Sequence, residues 1–336
     1  MYNGKAFIRF VLCISMCTFL IVPILSGCEA TDGGLPELKH GYYGVEYTGI
    51  TDKGAAFLAC GTGGRLDRIF EDSTLENIPL PVGDKDLISL LIGEGVTLVG
   101  GVSGALAYSL DGNVFKTSKG AGNEHILGLA EHKEKYYACT YSGKILSSAD
   151  GVSWKTDKRL TNKPLIAIVS NDTNLMTITN DTDIFKSEDG VNWTSQNYNK
   201  IYEGLAEELS YINMVNFSNY VYTMGHSLEN PDAPSVMYTI DSGETWMSTV
   251  SQRLNDLNPD EFYPLTVYSL SVFGEELLGV CNGGRVLAFT DCPSCNRISE
   301  TSNADLRCIA VSDSKVLVAG DGFEFAMLAA EDLQGF

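Results

Sequence analysis

The chain has 336 residues, 44% of them apolar, with 43 acidic against 23 basic residues and a net charge of −20. Phosphate backbones are bound by clustered Lys and Arg, and no such stripe occurs here, so nucleic acid is set aside as a partner. The acidic coat suits an exported surface domain.

At the start of the chain, Lys5 and Arg9 flank a mainly apolar run over 10–25, which ends in Leu25-Ser26-Gly27-Cys28. A basic start, a short apolar stretch and small residues before a Cys resemble a bacterial lipoprotein signal. The resemblance implies cleavage after Gly27, acylation of the Cys28 sulfur and attachment to a membrane of the bacterial cell envelope through lipid. An uncleaved anchor competes with this, but the run is short against the ~20 residues a span needs and carries Pro23. The chain therefore divides into a signal peptide (1–27), a lipidated linker (28–37) and one domain (38–336). Without the leader the charge becomes −22, from 21 basic and 43 acidic residues. The remaining 309 residues exceed the usual size of a single core, a ceiling that stacked repeats avoid because each buries its apolar face on a neighbour.

Seven units follow one another. Each contains a β-rich run that reads as its second strand, at 55–60, 96–100, 135–139, 174–177, 220–224, 276–281 and 315–319. Before these come apolar runs such as 88–92, 165–169 and 308–311, continuous enough for burial on both faces. After them comes a third strand, then a turn, then a polar outer strand. Four antiparallel strands per unit and seven units predict an all-β, seven-bladed β-propeller. The last unit runs short of an outer strand, and residues 38–43 are expected to supply it, closing the ring. An open solenoid of hairpins is the competing fold and would need polar caps at both ends.

Four turns share one formula: Ser109-Leu-Asp111-Gly112-Asn-Val-Phe115, Ser148-Ala-Asp150-Gly151-Val-Ser-Trp154, Ser187-Glu-Asp189-Gly190-Val-Asn-Trp193 and Thr239-Ile-Asp241-Ser-Gly243-Glu-Thr-Trp246. The Asp can accept backbone amides of a tight turn, the Gly permits positive φ, and the aromatic plugs the hairpin base. This resembles the Asp-box, or BNR repeat, of sialidase-like and photosystem II assembly-factor-like propellers, with three of the four copies one residue shorter than the family pattern. The resemblance implies the scaffold. Sialidase chemistry is not carried over: that family grips its substrate with three arginines, uses a Tyr nucleophile, has six blades and carries a Phe/Tyr-Arg-Ile-Pro signature absent here. The assembly-factor-like proteins bind a partner's polypeptide tail, and a box by itself transfers shape rather than activity.

The candidate sites lie on loops. Three irregular insertions, 198–209, 225–235 and 251–264, map to the face opposite the boxes and supply Tyr202, His226, Asp232 and Tyr263 as ligand-binding candidates. Gly64-Arg65, Gly143-Lys144 and Gly284-Arg285 place three cations at equivalent positions on that face, either an anion patch or partners for nearby acids. Cys60, Cys139 and Cys281 end apolar runs and read as core. Cys292 and Cys295 replace a box turn and are expected to form a local disulfide, since a zinc site would need a second ligand pair. No catalytic residue, metal or cofactor emerges: the four histidines are scattered, and neither His-Glu-x-x-His nor Gly-x-Ser-x-Gly occurs. The expected molecule is a monomeric, lipid-anchored, noncatalytic binding or scaffold propeller for a glycan or polypeptide. The alternative is a glycoside hydrolase, which would show paired carboxylates in a central funnel.

Overall fold

The computed structural model describes residues 38–171, 173–179, 183–197, 209–217, 220–227, 234–250, 267–274, 276–290 and 294–329. Its strands fall into seven antiparallel sheets. The first contains β1 (Tyr42–Thr51), β2 (Gly54–Gly61), β3 (Leu66–Phe70) and β4 (Leu75–Asn77). The second contains β5 (Leu87–Gly93), β6 (Val96–Gly101), β7 (Leu106–Ser109) and β8 (Lys116–Thr117). The third contains β9 (Ile126–His132), β10 (Lys135–Thr140), β11 (Lys144–Ser148) and β12 (Trp154–Arg159). The fourth contains β13 (Leu165–Ser170), β14 (Leu175–Thr179), β15 (Asp183–Ser187) and β16 (Thr194–Asn197). The fifth contains β17 (Leu209–Phe217), β18 (Tyr220–Ser227), β19 (Pro234–Thr239) and β20 (Met247–Val250). The sixth contains β21 (Val267–Phe273), β22 (Glu276–Cys281), β23 (Arg285–Thr290) and β24 (Ser294–Glu300). The seventh contains β25 (Leu306–Val311), β26 (Lys315–Gly320) and β27 (Phe325–Ala329).

The first strand of each sheet packs on the first strand of the next, and β25 packs back on β1, so the ring is closed. This is a seven-bladed β-propeller, and the open solenoid is excluded. Apolar residues of the second strands fill the space between blades. Leu98 of β6, for example, shares a buried core with Ala138, Leu146 and Trp154 of the third blade. Cys60, Cys139, Cys281 and Cys308 are buried in these layers as thiols rather than in disulfides. Burial pushes the thiols of Cys60 and Cys139 up to about 12, which keeps them inert.

Closure differs from the expectation. Residues 38–43 add no outer strand to the last blade; Tyr42 and Tyr43 instead open β1, the innermost strand of the first. Among the described residues the incoming segment meets the last blade through a β-bridge between Gly41 and Asp321, with Gly322 N–H donating to the His40 carbonyl at 2.7 Å. The physical reason is sequence pattern: Tyr42-Tyr43-Gly44-Val45 has the apolar, variable, small, apolar order of the other innermost strands, the fifth, with Asn213 at the third place, excepted.

The Asp–Gly hairpins are built as expected and also join blades. Asp150 accepts from the amides of Val152 and Ser153, both at 2.9 Å, and from Ser148 Oγ at 2.9 Å. Asp111 and Asp189 repeat that set, and Asp241 accepts from the Thr245 amide and hydroxyl. Hydrogen bonds from the Val114 and Asn113 amides hold Asp111 down at about 2, so its contribution is present above pH 4 and lost as pH falls through 2. Each turn leans on the preceding blade. The glycines at 151, 190 and 243 abut Leu98, Tyr137 and Met176, respectively, and Arg68 Nη2 donates to the Gly112 carbonyl at 2.8 Å.

Candidate functional site

Two concavities stand out, the central channel and a cleft between the first two blades. The channel is shaped by a repeated irregularity. All seven innermost strands carry a β-bulge at their second or equivalent residue, where the register with the neighbouring strand shifts at Tyr43, Ile88, Leu127, Ile166, Ile212, Tyr268 and Arg307. A bulge bends a strand and re-aims its side chain. In the first and third blades the residue after the bulge is glycine, and Gly44 and Gly128 leave room for a sulfur of the second strand, Cys60 and Cys139, respectively. Tyr43, Ile88, Leu127, Ile166, Tyr268 and Arg307 are all buried and form one layer around the axis. Leu38 joins the apolar cluster of this layer, and Tyr43 donates to the Lys39 carbonyl at 3.0 Å. The incoming chain therefore covers one mouth of the channel.

Below that layer lies a cavity of about 360 Å³. Glu46 is the one carboxylate lining it among the described residues; Leu91, Ala130, Val169, Val215, Ser271 and Ala310 stand at the equivalent places in the other blades. Burial pushes Glu46 up to about 7. Its folded value lies above the ordinary 4.5, so the folded chain holds a proton that the unfolded chain has released, and stability falls as pH rises from 4.5 through 7. Glu46→Gln is expected to remove this slope, worth on the order of 1–3 kcal/mol by pH 8. Thermal unfolding of both proteins across pH 4.5–8 checks it; parallel curves would refute it. General acid/base hydrolysis needs a second carboxylate within about 5–10 Å, and the described lining supplies none.

The polar ring around the covered mouth is a closure device. Arg307 donates to both Asp321 carboxylate oxygens, at 2.8 and 3.0 Å, and to Asp305 at 3.2 Å, while its guanidinium stacks 4.0 Å over Tyr268. Lys39 reaches Asp305 and Asp321, both at 3.5 Å.

The second concavity, about 610 Å³, opens on the face of the Asp–Gly hairpins. Its walls come from the β1–β2 hairpin (Thr51, Asp52), the β5–β6 hairpin (Ile92, Gly95) and the turn after β7 (Leu110, Asn113), with Arg68 and Phe70 at its base. Ile92 and Leu110 are exposed, as is Ile50 on β1. Every large hydrophobic that is exposed among the described residues is aliphatic or Met, and none is aromatic.

The sequence-predicted residues divide into those placed and those outside the described set. Arg65, Lys144 and Arg285 do sit at equivalent starts of third strands, and the first two are committed to neighbouring acids. Arg65 is ion-paired to buried Asp67 and stacks on Phe323 at 4.2 Å, and Lys144 pairs with Glu124 at 2.5 Å. The glycine before each has its own cause. Gly143 has φ of 78° and a Cβ there would collide with the Thr161 carbonyl, on the link to the next blade. The Gly-basic pattern is thus a joint between blades. Tyr202, Asp232 and Tyr263 lie outside the described residues, as does the side chain of His226 on β18. Cys28 and the expected Cys292–Cys295 disulfide also lie outside them. The strands flanking the three insertions end on the face where the incoming chain lies. Sequence reasoning missed Glu46, Arg307 and the cleft.

No family model matches the chain, and no curated protein matches it. Solved structures do resemble it. Virginiamycin B lyase from Staphylococcus aureus aligns with a TM-score of 0.66 at 12% identity, covering 87% of this chain and 97% of that one. YCF48 from Cyanidioschyzon merolae aligns with a TM-score of 0.63 at 12% identity, covering 88% and 96%. A structure of YCF48 bound to D1 peptide aligns with a TM-score of 0.55 at 15% identity, covering 80% and 82%. At these identities the likeness establishes the propeller fold alone.

Proposed function

We propose that the protein is a lipid-anchored binding propeller of the bacterial envelope whose ligand is a polypeptide, engaged without turnover. The observation that carries this reading is the 610 Å³ cleft with exposed Ile92 and Leu110 on its wall, since exposed aliphatic side chains around a concavity mark a contact surface for protein. A sugar platform would present an aromatic face, and the described surface has no exposed one. The structure of YCF48 bound to D1 peptide, a propeller holding a peptide, supports this reading. Among the described residues lining the channel, Glu46 offers one half of a hydrolytic pair.

A random peptide library screened against the purified domain tests the proposal. Ile92→Asp and Leu110→Asp are each expected to weaken the selected peptide at least tenfold while leaving the urea midpoint within experimental scatter, as exposed sites do. Capture of a glycan with release of product would overturn it. The anchor is tested separately: Cys28→Ala is expected to move the protein from the membrane fraction to the soluble fraction, and unchanged retention would remove the lipid from the proposal.

A further inference from the structure

The incoming chain is fixed at a definite place. Leu38 is buried at the axis of the propeller, Lys39 is ion-paired to Asp305 and Asp321, and Gly41 is bridged to Asp321. All of this lies on the face that carries the three insertions. The Gly41 carbonyl accepts from Thr62 in the β2–β3 link, and the His40 carbonyl accepts from Gly322 in the β26–β27 link. Both links connect second to third strands, which define that face. The Asp–Gly hairpins and the cleft lie on the opposite one.

Resting on the lipoprotein reading, we infer that the insertion-bearing face is held toward the membrane and the cleft-bearing face toward the aqueous compartment. The argument is one of reach. Nine residues, 29–37, lie between the anchored Cys28 and Leu38, so the tether of ten Cα–Cα steps spans at most about 35 Å when fully extended. To bring the opposite face to the bilayer, the tether would first cross a four-stranded blade, about 14 Å from first to fourth strand. It would then descend the height of a strand such as β2, eight residues or about 26 Å. That path of about 40 Å already exceeds the tether before outer side chains are counted. The mature net charge of −22 opposes adsorption to anionic headgroups, so the face is apposed to the bilayer without being embedded in it. A partner taken in the cleft is then one that diffuses in the compartment or hangs from a structure facing the membrane.

Energy transfer to the vesicle surface tests this. Full-length lipidated protein is reconstituted in phosphatidylcholine vesicles carrying a headgroup acceptor, with a donor on Asp84→Cys, an exposed link residue of the insertion face, or on Asp313→Cys, an exposed hairpin residue of the other face. The parent chain labelled in parallel sets the background. The donor at 84 is expected to transfer severalfold more efficiently than the donor at 313, and a 20-residue Gly/Ser insertion between 37 and 38 is expected to equalise them. A chain that floats with the vesicles yet shows equal or inverted transfer overturns the orientation alone. A chain that fails to float overturns the anchor, and the orientation with it.

Discussion

Trp154→Ala is expected to destabilise the propeller by about 3–5 kcal/mol, the range for emptying a buried Trp site. Trp154 is 5% exposed, packs among Val96, Leu98 and Leu146, and donates its indole N–H to the Gly151 carbonyl at 2.9 Å. Its backbone is committed as well: its N–H donates to Lys119 at 2.7 Å, and Lys119 donates back to Val152, so the hairpin is stitched to the link between the second and third blades. The cavity would open between two blades rather than within one. Trp193 occupies the same place in the fourth blade but is only half-buried, with its indole donating to Gly190 at 3.1 Å, and Trp193→Ala is expected to cost less, about 1–3 kcal/mol. Urea unfolding with unchanged m-values checks the order, and equal losses at the two sites would show that burial between blades does not set the cost. Peptide affinity of the folded fraction should be unchanged in both.

The two costs differ although the motif is the same, which marks how far the sequence can be read. Periodic signals are local: the apolar–small order of the innermost strands, the β-rich second strands and the Asp–Gly turns each declare a strand or hairpin within about ten residues, and together they give the blade count. What joins one blade to the next is non-local. Glu46 reads as an ordinary solvent-facing strand position, and only the closed ring turns it toward a desolvated axis. The cleft draws on three hairpins from two blades, and no window of sequence contains it. The bulge at Tyr43, Ile88, Leu127 and most of their equivalents left one trace, the small residue next in line, which is legible once the strands are aligned by unit. The Gly-basic pairs were legible as a pattern, but their cause, the close approach of Gly143 to Thr161, belongs to tertiary packing.

Arg307→Met is expected to cost about 2–4 kcal/mol, because it removes a buried cation and leaves its partly buried carboxylate partners facing each other. Arg307 is 3% exposed and sits on β25, where the seventh blade meets the first. Unlike the other six joints, this one is made by two ends of the chain that are held to each other by no covalent link. Lys39 alone, 44% exposed and 3.5 Å from each carboxylate, compensates weakly. Arg307→Lys should fall between, since it keeps the charge but loses the two-pronged contact with Asp321 and the stacking on Tyr268. The double variant Arg307→Met, Asp321→Asn should recover part of the loss by removing the orphaned charge as well, a coupling that a purely apolar packing defect would not show. Hydrogen exchange adds a spatial readout. If the pair is the latch of the ring, protection falls first at amides of β1 and β25 and is retained in β9 to β16, on the far side of the axis. Uniform loss around the ring would mean that the propeller unfolds as one unit and that this joint is no weaker than the rest.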